Sequence, residues 1–426
     1  MGGEFQLRRS GDPTVLPVSV GLRRRRKTAG KLFAFGAIPA AMLLCGAQGA
    51  AAQGAVGRKL DFQVIGRVVY DSNAARGANA LATVRNVQQN DILYSPSARV
   101  DAALPIGRQA VFVNGAVGYD FRQNNKQLNR ERIDVSGGVA GSAGPCGLTA
   151  TGSFSRSQSD IADLIAEVTK NTEQRVSYGL QGSCGIGAGL SVNLGGTHSR
   201  STNSAEGQGL VNATSEGLSG GVNYGNRTLG ILGLVASYST SKYDGRPGMP
   251  INSDGFDSYG AGVNYSRPIG TRLQGQLSLF YSQTQQNGPL EDQFTGLTGS
   301  GTLTYRATSR LRATLGYQRG VSATSQQGSS YSLSQSVQLN LGYALTSRIR
   351  TSIGARGFKR DYRGGGLPPP GQISSEKGYS VFGSASVSLG RDLSLAMDAS
   401  RDVRNTNLTV FDYKGYRVGL SATKSF

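Results

Sequence analysis

The chain has 426 residues, of which 62 are glycine, 38% are hydrophobic and none is tryptophan, and it carries a formal net charge of +19. No stretch after residue 55 approaches the roughly 20 consecutive apolar residues that a transmembrane helix needs. The low apolar content excludes a helical membrane protein and favours a transmembrane β-barrel, in which each strand needs only one apolar face. A soluble β-sandwich or solenoid is the alternative.

Residues 1–52 predict an N-terminal extension followed by a cleaved signal peptide. A basic cluster at 23–27 precedes a short apolar segment at 32–44 and a run of alanines at 50–52. A charged region, an apolar region and a small-residue cleavage site occur in this order in secretory signals. We predict cleavage after Ala52, which leaves residues 53–426 as a single outer-membrane barrel domain.

Beyond the signal, segments of about ten residues alternate between apolar and polar positions, as barrel strands do. The third is typical, with apolar residues or glycine at every second position from Val111 to Phe121. Counting these segments predicts an all-β antiparallel barrel of about 18 strands, within a range of about 16–18. Asp160–Glu167 has the spacing of a short loop helix, and an extension of the neighbouring strand is the alternative.

Short and long connections alternate along the predicted barrel. Short ones lie near 105–108, 143–147, 185–187, 225–228, 267–271, 307–310, 345–348 and 390–392. Long ones lie near 74–90, 122–130, 158–173, 199–214, 240–255, 284–293, 322–329, 360–377 and 403–412. Membrane barrels place short turns on the periplasmic side and long loops outside the cell, so we expect this arrangement here.

The final predicted strand places Tyr416, Val418, Leu420 and Phe426 on one face, and Phe426 is the last residue of the chain. An amphipathic strand that ends in phenylalanine resembles the C-terminal assembly signal of bacterial outer-membrane barrels. The resemblance implies recognition by the barrel assembly machinery and location in the cell outer membrane.

Two cysteines, Cys146 and Cys184, follow the predicted cleavage site, and both fall at short turns. An even pair in an exported protein favours a disulfide. The two turns are neighbours on the predicted periplasmic side, within reach of each other. Two free thiols are the alternative.

No catalytic constellation is present, and we predict that the protein is not an enzyme. The one histidine, His198, ends the seventh predicted strand and is interpreted as a residue at the barrel rim. No group of histidines and cysteines has the spacing of a metal site. The sequence therefore predicts neither a metal nor a cofactor.

Arginines recur at predicted inward positions close to the short turns, with one further up its strand. A basic ring of this kind would attract anions in a pore. The alternative is that these arginines pair with acidic residues of the lumen and loops. The candidate residues are Arg272, Arg310, Arg312, Arg348, Arg350 and Arg356.

The basic balance of the chain favours anionic partners, namely outer-membrane lipids and lipopolysaccharide or an anionic polysaccharide. Nucleic acid is not expected, because no surface interleaves aromatic and basic residues.

The first two strands carry short polar motifs at their loop ends, Tyr70-Asp71-Ser72-Asn73 and Asp91-Ile92-Leu93-Tyr94. With the strand layout, these resemble a family of β-barrel porins found with exopolysaccharide biosynthesis clusters. The resemblance implies an outer-membrane translocation channel for an exopolysaccharide, working with a periplasmic polysaccharide-export protein. The alternatives are a general or anion-preferring diffusion porin and a plugged structural or adhesive barrel.

Overall fold

The computed structural model describes residues 58–159, 170–205, 208–244, 246, 254–287, 293–324, 326, 329–364 and 373–426. The predicted signal peptide, its cleavage site and the segment Asp160–Glu167 lie outside these residues. Within the described ranges, no helix combines the length and the hydropathy of a membrane span.

The alternation of the sequence becomes an alternation of exposure in the strands. In β1 (Lys59–Asp71), the side chains of Phe62, Val64 and Val68 are exposed, whereas those of Gln63 and Arg67 between them are half-buried. Because successive side chains of a strand point to opposite faces, one face of the sheet is apolar and the other is polar. The remaining strands are β2 (Asp91–Tyr94 and Ser97–Ile106), β3 (Gln109–Arg122), β4 (Arg130–Ala143), β5 (Cys146–Gln158), β6 (Thr172–Gly187), β7 (Leu190–Asn203), β8 (Ala213–Asn226), β9 (Gly230–Tyr243), β10 (Gly255–Ile269), β11 (Leu273–Asn287), β12 (Gln293–Arg306), β13 (Leu311–Ser322), β14 (Tyr331–Ala344), β15 (Ile349–Arg363), β16 (Ser375–Leu389), β17 (Leu393–Thr406) and β18 (Tyr413–Ser425).

These strands form one closed antiparallel barrel of 18 strands, as predicted. Each strand pairs with the next along the chain, and β18 pairs with β1. Short connections, such as 107–108 and 390–392, all lie at one end of the barrel, which we call the turn end. The opposite end, where connections such as 72–90 and 123–129 lie, is called the loop end. The loops within the described ranges contain short helices: α1 (Asn79–Val84) and the 3₁₀ segments Lys126–Leu128, Gln208–Val211 and Thr409–Phe411.

The second strand is broken in the middle, which the sequence pattern did not predict. Both of its segments pair with β1 on one side and with β3 on the other, so they act as one strand of the barrel. The break falls at Ser95 and Pro96. Proline has no N–H to donate to a neighbouring strand, which explains the interruption. The carbonyl of Pro96 still accepts a bond from the N–H of Tyr119 at 3.1 Å.

Two belts of exposed aromatic residues surround the apolar outer surface. The belt at the turn end contains Phe62, Tyr224, Tyr305, Tyr343 and Phe426. The belt at the loop end includes Tyr94, Tyr238, Tyr259, Tyr317, Tyr379 and Tyr416. Aromatic girdles of this kind mark the two interfaces of a membrane barrel, with the apolar band of about 25 Å between them.

The seam between the last strand and the first carries an aromatic contact at each belt. The rings of Phe62 and Phe426 lie 5.7 Å apart at the turn end, and those of Tyr70 and Tyr416 lie 5.8 Å apart at the loop end. The N–H of Phe426 donates to the carbonyl of Phe62 at 2.9 Å. The predicted C-terminal signal residues, Val418 and Leu420 included, thus share the lipid-facing side of the closing strand.

Cys146 and Cys184 are directly opposed in the β5–β6 pair, close to the turn end. Their sulfur atoms are 2.15 Å apart, and 38 residues separate them in the chain. The structure therefore places a disulfide between neighbouring strands, at the position that the spacing of the short turns indicates.

Removing this disulfide should lower the stability of the folded barrel. Closing a loop of this length restricts the unfolded chain, and such a bond contributes about 2–4 kcal/mol. We expect the pair Cys146→Ser and Cys184→Ser to unfold at lower urea concentration in detergent micelles. The matched control is the pair Ser142→Ala and Ser183→Ala, near the same turns, which should unfold like the wild type; equal unfolding of cysteine and control variants would contradict the expectation.

Candidate translocation pathway

Inward charged side chains of both signs occur on strands from β12 to β18 and from β1 to β6, and arginines predominate next to the barrel seam. Strands β15, β17, β18 and β1 carry inward arginines, at positions that alternate with the apolar residues facing outward. We call this group the basic sector, and its arginines are Arg67, Arg356, Arg360, Arg404 and Arg417. Arg67 and Arg417 each lie between two outward-facing residues of the alternating pattern. The sequence alone therefore indicates that both arginines face inward.

A buried ion-pair group lies at the loop end of the basic sector. The Arg404 guanidinium donates from Nε to Glu376 Oε2 at 2.7 Å, and the side chains are 1% and 0% exposed. Arg360 binds the other carboxylate oxygen at 3.1 Å. The hydroxyl of Tyr362 also donates to Oε1 at 3.2 Å. One carboxylate is thus held by two arginines and a tyrosine, and the group retains positive charge.

Two further pairs continue the sector across the barrel seam. The Nη2 atom of Arg67 donates to both oxygens of Asp398, at 2.8 and 3.0 Å, in a charge-assisted contact. Arg417 binds Asp402 at 3.1 Å, and the hydroxyl of Ser380 donates to the same carboxylate. The alternative interpretation of inward arginines, pairing with lumen acids, therefore describes these residues.

The opposite side of the inner wall is uncharged. Among the described residues of β7–β11, the inward positions hold no aspartate, glutamate, lysine or arginine. Hydroxyls and amides occupy most of them, and they bridge neighbouring strands, as in Ser215–Ser241 at 2.8 Å and Ser258–Thr284 at 3.0 Å. A hydroxyl can donate once and accept twice, so these groups keep capacity for a passing solute. We call this side the hydroxyl wall.

The six arginines proposed from the sequence divide into two groups. Arg312, Arg350 and Arg356 lie at inward positions of strands β13 and β15. The other three, Arg272, Arg310 and Arg348, lie in exposed short turns. The turn end therefore carries basic residues on the wall and at the rim, whereas the ion-paired arginines of the basic sector lie nearer the loop end.

The described residues of the hairpin 319–335 fold into the barrel, and we call them the inner hairpin. Strands β12 and β13 stop pairing at Gly299 and Arg319, so their loop ends separate. Beyond this point, the buried Leu333 and Tyr331, together with Val321, pack on the inward rings of Phe256 and Phe294. Because these three residues occupy outward positions of the alternating pattern, the sequence predicts that they contact lipid. The hairpin bends inward instead, and these side chains pack against the inner face of neighbouring strands.

The separation begins at Gly299, whose backbone conformation favours glycine. Gly299 adopts a φ of 153°, which L side chains rarely adopt, and an added Cβ would lie 2.1 Å from the carbonyl oxygen of Ser278. The backbone of β12 therefore approaches β11 more closely here than any other residue would allow.

Two side chains near the end of β9 fasten the tip of the inner hairpin. The buried Tyr243 hydroxyl donates to the carbonyl of Ser330 at 2.7 Å and accepts from the N–H of Thr324 at 2.8 Å. The guanidinium of Arg246 lies 4.0 Å above the Tyr243 ring and donates to the carbonyl of Ser329 at 2.8 Å. Arg246 also donates to Leu210, which ties the hairpin to a neighbouring loop.

The loop at residues 72–90, which contains α1, also covers part of the loop end, and we call it the first loop. Leu81 of α1 is buried with the inward Tyr362 and with Ile373 and Phe411. On its other side, Ala82 and Val87 pack against Leu128 of the β3–β4 loop. The first loop thus crosses from the β3–β4 connection to β15, next to the inner hairpin.

The polar motifs that carry the family resemblance anchor this first loop. Asp71 and Asp91 are opposite residues of the β1–β2 pair. Asp71 binds Arg76 at 2.7 Å and accepts from the N–H of Asn73 at 3.0 Å. Asp91 accepts from the amide of Asn125 at 2.9 Å and lies 3.6 Å from Arg122. The motif residues therefore hold the first loop and the β3–β4 connection in place at the loop end of the barrel.

His198 faces outward near the loop end, as the rim interpretation predicted. Its Nδ1 lies 3.3 Å from Glu216, and its ring is 6.4 Å from that of Tyr178. Across the described part of the chain, no three histidine, cysteine or acidic side chains are grouped as metal ligands.

The chain was compared with curated proteins, solved structures and family models. No curated protein shows a significant sequence match to the chain. The solved structures of OccK2 (OpdF) from Pseudomonas aeruginosa and OccAB3 from Acinetobacter baumannii share 12% and 10% identity with it. Their TM-scores are 0.47 and 0.45, and each alignment covers 87% of this chain and 98% or 100% of the other.

The sequence itself matches a family model over residues 235–426, from within β9 to the closing strand. That family is described as "Putative beta-barrel porin 2". The C-terminal strands of the chain are similar to that family of porins, and the barrel is located in the outer membrane.

Proposed function

We propose that the barrel is an anion-preferring pore for hydroxyl-rich solutes. The observation that carries the proposal is the division of the inner wall into a basic sector and a hydroxyl wall. Basic residues outnumber acidic ones at the described inward positions, so the lumen favours anions. The opposite wall offers hydroxyls and amides that exchange hydrogen bonds with sugar hydroxyls as these leave water.

Charge reversal on the wall tests the anion preference. We expect the wild-type protein, in planar bilayers under a KCl gradient, to give a reversal potential closer to the equilibrium potential of chloride than to that of potassium. The pair Arg312→Glu and Arg350→Glu should shift the chloride-to-potassium permeability ratio toward cations by about twofold or more, because fixed charge in the wall acts directly on the permeating ion.

Two control pairs make the test specific. The outward pair Arg200→Glu and Lys242→Glu should leave the ratio unchanged. The turn pair Arg310→Glu and Arg348→Glu, exposed to bulk solvent, should shift it less than the wall pair. A cation-selective wild type, or the same shift from the outward pair, would refute the proposal.

Export of an exopolysaccharide, with a periplasmic export protein as partner, is the second candidate. It rests on the family resemblance of the loop-end motifs, and the length of the hydroxyl wall over β7–β11 is compatible with a sugar chain. Deleting the gene should abolish surface polysaccharide while uptake of small solutes is retained. Normal surface polymer in the deletion strain, together with slower uptake of small anions, would instead support the diffusion pore.

The same measurement of conductance in planar bilayers distinguishes a plugged structural or adhesive barrel from an open pore. A plugged barrel gives no conductance steps, either as the wild type or after the inner hairpin is shortened. Conductance steps in the wild type would exclude it.

A further inference from the structure

Four exposed basic residues lie on the outer surface of adjacent strands at the loop end. They occupy outward positions one or two steps beyond the apolar band, and all are exposed. We call this group the outer basic patch, and its members are Lys359 of β15, Lys377 of β16, Arg401 of β17 and Lys414 of β18. The patch lies on the outside of the same strands whose inner face forms much of the basic sector.

The patch brings like charges together on one face of the sheet. Lys359 and Lys377 are directly opposed in the β15–β16 pair. Like charges at opposed positions destabilise a sheet unless an anion or a counter-charge compensates them. Lys359 has Asp361 at 3.0 Å. Among the described residues, no carboxylate lies within ion-pair distance of Lys377, Arg401 or Lys414.

Two arginines at outward positions of other strands near the loop end have acidic partners. Arg156 binds Glu131 at 2.7 Å, and Arg200 binds Asp244 at 3.1 Å. The excess of positive charge is therefore a property of the sector formed by β15–β18, and the high overall charge of the chain does not account for it.

The level of the patch in the membrane identifies its ligand. Tyr379 and Tyr416 belong to the aromatic belt and lie two positions nearer the apolar band than Lys377 and Lys414. Basic side chains just beyond an aromatic belt reach the headgroup layer. Loop ends of membrane barrels face outside the cell, where the outer leaflet presents the phosphates of lipopolysaccharide.

We propose that the outer basic patch binds a lipid A phosphate of lipopolysaccharide. The lysines and the arginine donate charge-assisted hydrogen bonds to the phosphate oxygens, while Tyr379 and Tyr416 contact the first segments of the acyl chains. The bound phosphate compensates the repulsion between Lys359 and Lys377.

The test measures binding of purified lipid A to the full barrel in detergent micelles. We expect the triple variant Lys377→Gln, Arg401→Gln and Lys414→Gln to bind about a hundredfold more weakly than the wild type, because each basic residue near a charged membrane surface contributes about fivefold. Lipid A whose phosphates have been removed should bind the wild type as weakly as lipid A binds the variant.

The control variant removes the same charge elsewhere on the outer surface, as Arg156→Gln, Arg200→Gln and Lys242→Gln. It should bind lipid A like the wild type. A heat-modifiable shift in gel mobility checks that every variant is folded. Equal weakening by both triple variants, unchanged binding by the patch variant, or equal binding of dephosphorylated lipid A would each overturn the proposal.

Discussion

Replacing Glu376 with glutamine should lower the free energy of unfolding by about 3–5 kcal/mol. The carboxylate is fully buried and neutralises Arg404, whose side chain is 1% exposed, and it also binds Arg360 at 3.1 Å. Removing its charge leaves two guanidinium groups close together with little access to water. Urea unfolding in micelles, followed by the heat-modifiable mobility of the barrel, measures the loss.

Two companion variants separate charge burial from general damage. Asp392→Asn removes an exposed carboxylate 3.8 Å from Lys424, and we expect it to cost less than about 1 kcal/mol. The double variant Glu376→Gln with Arg404→Met removes both partners and should recover much of the lost stability. Equal stability of Glu376→Gln and Asp392→Asn would show that the buried group is not held as described.

Releasing the inner hairpin should raise the single-channel conductance. In the pair Tyr243→Phe and Arg246→Ala, the hairpin loses the bonds from Tyr243 to Ser330 and Thr324 and the bond from Arg246 to Ser329. Each buried backbone group left without its partner costs about 1–3 kcal/mol, which favours movement of the hairpin tip away from the wall. We expect larger and more variable current steps in planar bilayers.

A shortened hairpin gives the stronger form of the same test. Replacing residues 323–330 with an Asn-Gly turn removes the tip and should increase conductance more than the pair of point substitutions. The outward pair Tyr238→Phe and Arg200→Ala changes the same residue types without touching the hairpin and should conduct like the wild type. Unchanged current after shortening would mean that the hairpin does not narrow the pathway.

Much of the barrel was predictable because alternation is a local property. The pattern from Val111 to Phe121 defines which side chains share a face, and backbone pairing of neighbouring strands then follows. The closing strand was predictable for the same reason. Pro96 broke one predicted strand, since a residue without an N–H interrupts pairing even where the alternation continues.

What covers an apolar face was not predictable from alternation. Leu333 and Val321 have the same parity and apolar character as the lipid-facing residues of their strands. They contact protein because β12 and β13 separate beyond Gly299 and Arg319, which is a tertiary event. The predicted basic ring could not be resolved from the sequence for a related reason. Proximity to a short turn does not distinguish Arg312, which lies on the inner wall, from Arg310, which lies in the turn.

The uneven inner wall has a consequence for movement through the barrel. With fixed charge on one side and neutral hydroxyls on the other, the electric field in the lumen has a component across the pathway as well as along it. A solute with an acidic group on one side and hydroxyls on the other is aligned by this transverse field. For the anion-preferring pore proposed above, such a molecule is expected to pass with its acidic side toward the arginines.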